Sequence, residues 1–235
     1  MLFNSANGKL SADVVLPKDY TRKNHPVLIY FPETTASIDN LAINYANNGI
    51  IVIRFYSRGY DESEGLRDLG GENDLADAQK LIAVFDSASF IKNSKIFVAG
   101  SSEGSIIALR LLAEDTEHRI SGCALVDAIT DLRAFELTRG EKIQNLFNAL
   151  IGNTYEEAPN EYELRSAVNF YEKLDRPILM QHYLQNPFFP VEQTDRLYDL
   201  LKTSQDCSYY KIDLKTSDFT GEGLQRLLSW INKYE

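Results

Sequence analysis

A chain of 235 residues with 44% apolar side chains is long enough to bury the core of one α/β domain of ordinary size. Its formal net charge of −10 and pI of about 4.9 argue against a nucleic-acid groove or an anionic membrane surface as partner. No run of about 18 apolar residues suggests a membrane span, and Met1–Leu10 lacks the basic and apolar regions of a secretory leader, so a cytoplasmic protein is expected.

In chain order, Phe3–Leu10 reads as strand and turn, with Asn7-Gly8 as the hairpin signal. Ala12–Leu16 continues as a strand that Pro17 ends. Val27–Phe31 is apolar throughout and reads as a buried strand, followed by a loop over 32–36. Ser37–Asn48 suits a helix with Ser37 as N-cap and Gly49 as its stop. Ile50–Tyr56 is another strong strand. Beyond Gly70-Gly71, the residues Leu75, Ala78, Leu81, Ile82 and Phe85 recur at helical spacing.

The most informative stretch is Lys95–Leu112. Ile96–Ala99 is a short apolar strand, and Ile106, Ile107, Leu109, Leu111 and Leu112 form a dense apolar helix. Between them Gly100-Ser101-Ser102-Glu103-Gly104 fits G-x-S-x-G in a strand–turn–helix setting. A strand that reverses sharply into a helix strains its central residue and lifts that side chain clear of the sheet. Small residues at 100 and 104 let strand and helix approach. The N–H of Glu103, at the helix N-terminus, would face an oxyanion formed at Ser102.

Ile120–Val126 is the next strand. Residues 131–173 carry no strand signal and hold two helical stretches, Glu141–Ile151 and Asn160–Lys173. Ile178–His182 and Ser208–Leu214 are late strands around a helix over Val191–Lys202, and Gly221–Tyr234 is a closing amphipathic helix. Strands alternating with helices point to an α/β, mostly parallel, doubly wound sheet. Cys123 and Cys207 read as two buried thiols in a reducing cytosol, with a disulfide between them as the alternative; their spacing offers no metal site, and no cofactor is expected.

With Arg58-Gly59-Tyr60-Asp61-Glu62-Ser63-Glu64-Gly65 standing before the G-x-S-x-G turn, the sequence resembles the α/β-hydrolases, in the prolyl oligopeptidase and dienelactone hydrolase-like branch. The resemblance implies one α/β-hydrolase domain over 1–235, with 131–173 as a helical cap insertion. It implies Ser102 as nucleophile and Arg58 and Asp74 as structural residues that pair or cap a loop. Its second oxyanion donor falls on the loop after Val27–Phe31, where Pro32 has no N–H and Glu33 or Thr34 would have to serve. Carboxylates at Glu33 and Glu103 either bring negative charge to a site meant for an anion or point to solvent.

A serine hydroxyl needs a base, and the base needs an acid to orient it. The family's acid loop, H-G-x-x-D-x-x-V-P, falls in register on His182–Pro190, with Asn186 at the acid position. The family's histidine falls on Ser217. The chain has only three histidines, and of these His182 alone lies at the C-terminal end of a strand, where such sites form and where the family carries a packing histidine. Asp218 is a further candidate acid or base, but a carboxylate activates serine poorly near neutral pH. The readings are a weakly active or non-catalytic protein that binds a small ligand or partner, an active esterase or peptidase of short acyl or peptidyl substrates with an unorthodox base, and a scaffold with a filled pocket.

Overall fold

The computed structural model describes residues 1–5, 8–21, 24–32, 39–86, 88, 91, 94–203, 206–214 and 221–235. Among them, eight strands form one sheet in the order β1-β2-β4-β3-β5-β6-β7-β8. The strands are β1 (Leu2–Ser5), β2 (Gly8–Val15), β3 (Val27–Phe31), β4 (Ile51–Tyr56), β5 (Ile96–Ser101), β6 (Ile120–Val126), β7 (Ile178–Tyr183) and β8 (Cys207–Ile212). β1 and β2 pair antiparallel, and β2 meets β4 antiparallel. The remaining strands are parallel. β3, β4, β5 and β7 are buried along their whole length, as apolar strands covered on both faces must be.

Helices cover both faces. α2 (Glu72–Asp86), α3 (Gly104–Ala113) and α7 (Val191–Leu201) bury Leu75, Leu81, Leu109, Leu112 and Leu197 against one face. α1 (Asp39–Asn47) and α8 (Gly221–Tyr234) bury Leu41, Tyr45, Leu227 and Ile231 against the other. The N-cap expected at Ser37 lies outside the described residues. α8 docks closely because Gly122 has no side chain: a Cβ there would lie 2.7 Å from the Trp230 ring.

Between β6 and β7 the chain makes a helical excursion of α4 (Leu132–Arg139), α5 (Glu141–Ile151) and α6 (Pro159–Glu163). α5 has the bounds expected from the sequence, whereas α4 falls where none was expected. The stretch expected as a helix over 160–173 breaks into α6 and two short 3-10 turns at Ala167–Asn169 and Tyr171–Lys173. Tertiary bonds cause the break. Ser166 Oγ takes the Leu132 N–H at 2.9 Å, and the Val168 N–H goes to the Thr130 carbonyl at 3.2 Å. The excursion has its own apolar cluster, in which Phe135, Phe147 and Tyr162 pack with Ile106 of α3.

Candidate active site

The parallel register assembles the site. Phe31 pairs with Gly100, Ser101 with Val126, and Val126 with Gln181. Pro32, Ser102, Asp127 and His182 are therefore the next residues along one sheet edge, at the C-terminal ends of β3, β5, β6 and β7. Neighbouring strands lie about 4.8 Å apart. Asp127 is thus the immediate neighbour of Ser102, and His182 lies one strand further.

Ser102 sits at the sharp turn expected of it, with φ 51° and no exposed surface. The left-handed conformation is costly for serine and persists because its surroundings hold it. The Ser102 N–H donates to the Val126 carbonyl at 2.9 Å. Ser105 Oγ donates to the Ser102 carbonyl at 2.5 Å and accepts the Ile129 N–H at 2.9 Å. Both motif glycines are sterically required. A Cβ on Gly100 would lie 2.4 Å from the Gly104 carbonyl oxygen, and one on Gly104 would lie 2.1 Å from that of Phe31.

Glu103 begins the turn into α3, with φ −63° and ψ −29°. Its carboxylate neither points free into solvent nor lies bare beside the elbow. Arg67 donates to both oxygens, at 3.0 and 2.8 Å, and the Tyr60 hydroxyl donates to Oε1. The Arg67 guanidinium also stacks over the Tyr60 ring, 4.6 Å from its centre. Burial, followed by the Glu103 charge, raises the Tyr60 pKa and keeps the phenol protonated.

Asn186, expected at the acid position, donates from Nδ2 to Asp127 Oδ2 at 2.7 Å. Its Oδ1 accepts the Phe188 N–H at 2.9 Å. Asp127 Oδ1 accepts the Tyr183 N–H at 2.8 Å. Asp127 is fully buried, and its φ of 46° is left-handed. The Asp127 carboxyl group therefore lies beside the elbow, bound to Asn186 and the Tyr183 N–H. Asp127 was not anticipated. The available signal was an acid ending the apolar run Cys123–Val126, on the strand beside the elbow strand.

Two of the three imidazoles have close partners, and the third, His118, is largely exposed. His25 Nδ1 lies 2.7 Å from the Gly49 carbonyl and Nε2 lies 3.3 Å from Asp19. His118 lies 3.9 Å from Asp175. His182 Nε2 lies 3.2 Å from the Phe189 carbonyl and so carries the proton, which leaves Nδ1 to accept from the Thr194 hydroxyl at 2.9 Å. Burial lowers the His182 pKa, so the ring is neutral near pH 7, with Asp127 3.5 Å away. Its bonds fasten the loop that carries Asn186. Glu33, Thr34, Ser217 and Asp218 lie outside the described residues.

Arg58 and Asp74 act structurally but not on each other. Arg58 makes two bonds to Asp77, at 2.5 and 2.9 Å. Asp74 Oδ2 accepts the Gly70 N–H at 2.9 Å. Asp74 and Asp77 stand three apart on one helical face, which is why residue type alone did not separate them. Cys123 and Cys207 are free thiols. Among the described residues no group of three or more His, Cys, Asp or Glu is placed to hold a metal, and no helix is long and apolar enough to cross a membrane.

Residues 39–234 match the prolyl oligopeptidase family. An uncharacterized peptidase of Bacillus subtilis (strain 168), YtmA, is 23% identical over 160 residues, which span 68% of this chain and 61% of that relative. Among solved structures, an esterase of Pyrococcus furiosus superposes with a TM-score of 0.73 at 16% identity, over 99% of this chain and 89% of that one. A puromycin hydrolase superposes with a TM-score of 0.82 at 18% identity, over all of this chain and 38% of that one. An acylaminoacyl peptidase of Pyrococcus horikoshii gives 0.80 at 14% identity, over all of this chain and 41% of that one. At these identities the likeness is one of fold.

Proposed function

The chain belongs to the prolyl oligopeptidase family, of α/β-hydrolase fold, and from that premise we propose that it binds a small ligand or partner at the Ser102 elbow with weak or no hydrolytic turnover. One observation carries the reading: His182, the one imidazole at this edge of the sheet, has its ring nitrogens engaged by Thr194 and Phe189. The complete burial of Ser102 supports it further. Asn186 is the proposed acid position, present as an amide that donates to the Asp127 carboxyl group beside it. Ser217 remains the proposed histidine position, and the N–H groups of Glu103 and Glu33 the proposed oxyanion donors. Residues 131–173 act in this proposal as the cap over the site. The ligand is an ester, a peptide or another small molecule, in a cytoplasmic setting suited to two free thiols.

Asp127 favours a second reading, an active esterase or peptidase in which a carboxylate beside the nucleophile acts as base. A carboxylate removes a serine proton poorly near neutral pH, which makes this the lesser reading. Hydrolysis of an activated acetyl ester by the wild type, Ser102→Ala and Asp127→Asn separates the two. A triad enzyme loses about a millionfold of kcat with its serine. The binding reading predicts a feeble rate that Ser102→Ala barely changes. A large fall in both variants establishes the second reading instead.

A further inference from the structure

Beside the elbow lies a cavity with about 30 Å³ open to water-sized groups, lined by Pro32, Ser57, Tyr60, Arg67, Asp74 and Glu103 among others. About 10–15 Å³ of such space holds one water, so there is room for a group of about two heavy atoms. The charges around it are unequally matched. Arg58 is taken by Asp77, Arg67 by Glu103, and Asp68 by Arg165. Asp74 has no ion-pair partner among the described residues. It is only 3% exposed, its Oδ2 is satisfied by the Gly70 N–H, and its Oδ1 has no hydrogen-bond partner. A buried acceptor left so is costly unless a donor reaches it. Asp74 and Glu103 repel an anionic occupant, and among the described residues no group of three or more His, Cys, Asp or Glu is placed to hold a metal here.

We propose that this cavity takes a small primary ammonium group, with Asp74 as its carboxylate partner, so that the ligand at the elbow is an amine-bearing molecule. The inference rests on the proposed ligand-binding role and names the chemistry of that ligand. Lying against Glu103 and Gly104, the ammonium would set the rest of the molecule at the Ser102 turn. Arg67 and Glu103, both partly exposed, stand at the rim.

The site has a pH signature. Burial raises the Asp74 pKa to about 7, helped by the charges of Asp68 and Asp77 and opposed by the Gly70 N–H and Arg58. Tyr60 faces the same cavity as a neutral phenol, and Arg67 and Glu103 face it as an ion pair. A cation binds the ionised carboxylate, so affinity rises as pH rises through that value.

The test is titration of the intact protein with methylammonium, followed by calorimetry and by the carboxyl NMR signal of Asp74. Saturable binding is expected to be stronger at about pH 8 than at about pH 6, with methylammonium lowering the Asp74 titration midpoint. Asp74→Asn should bind at least about tenfold more weakly, as expected for loss of a charged hydrogen bond. The NMR midpoint keeps the proposal testable should that variant fold poorly. Absence of saturable binding at the higher pH, equal binding by Asp74→Asn, or an unmoved midpoint each overturn it. The two proposals fail separately: rapid Ser102-dependent ester hydrolysis would sink the weak-catalyst reading and leave the methylammonium titration as it is.

Discussion

At the scale of single residues, the 2.7 Å bond from Asn186 to Asp127 limits what either can become. Asn186→Asp would place an acid where the family resemblance expects one, yet it sets two carboxylates against each other in a partly buried place. Like charges so close cannot both ionise cheaply. We expect a loss of about 1–3 kcal/mol in folding stability near neutral pH, shrinking as acid lets the pair share a proton. Urea unfolding at neutral and mildly acidic pH checks this; an unchanged midpoint would show that the carboxylates separate. Asp74 gives a second prediction. Its folded pKa of about 7 stands above its unfolded value, so the folded state holds a proton that the unfolded state has released. Stability therefore falls as pH rises from about 4 to about 7, and this contribution is flat above. Asp74→Asn should remove that part of the slope and unfold at higher denaturant than the wild type on the alkaline side. Parallel curves for the two proteins would contradict it. Asp127 was legible only in part: an acid closing an apolar strand stands out in the sequence, but its place beside Ser102 follows from register.

Among the elements, the elbow depends on close approach of β3, β5 and α3. Gly104→Ala pushes a methyl against the Phe31 carbonyl, whose oxygen would be 2.1 Å away. Backbone must move, and overpacking of this kind costs about 1–3 kcal/mol or more. The expected outcome is a thermal midpoint lowered by several degrees or failure to accumulate soluble protein; an unshifted melt would mean that the turn is looser than described. The excursion between β6 and β7 is fastened by Phe135, which stacks on Phe147 and on Phe189 of the Asn186 loop at 5.9 and 5.8 Å. Phe135→Ala should cost about 3–5 kcal/mol and speed hydrogen exchange in α4 and α5 ahead of the sheet. Uniform loosening of the whole chain would instead place Phe135 in the common core. α4 escaped the sequence reading although its N-cap was visible: Asp131 accepts the Ala134 N–H at 2.9 Å. The opposite error fell on 160–173, where local periodicity suggested helix and bonds to Thr130 and Leu132 won.

In the whole molecule, the parallel sheet was readable because β3 to β7 are short apolar runs set between helices with clear faces. The elbow was readable because its geometry needs small residues at fixed spacing around Ser102. The Tyr60–Arg67–Glu103 knot and the partner of Arg58 were not, since they join residues from separate segments. The central claim of the proposal is that Ser102, the proposed nucleophile, is not activated by an imidazole, since His182 is bound to Thr194 and Phe189. Treatment of the native protein with a fluorophosphonate, followed by peptide mass spectrometry, tests this most directly, because such reagents phosphonylate a serine only when a base has activated it. The Ser102 peptide is predicted to stay unmodified near neutral pH while a control serine hydrolase is fully labelled; a stoichiometric adduct on Ser102 would contradict the claim.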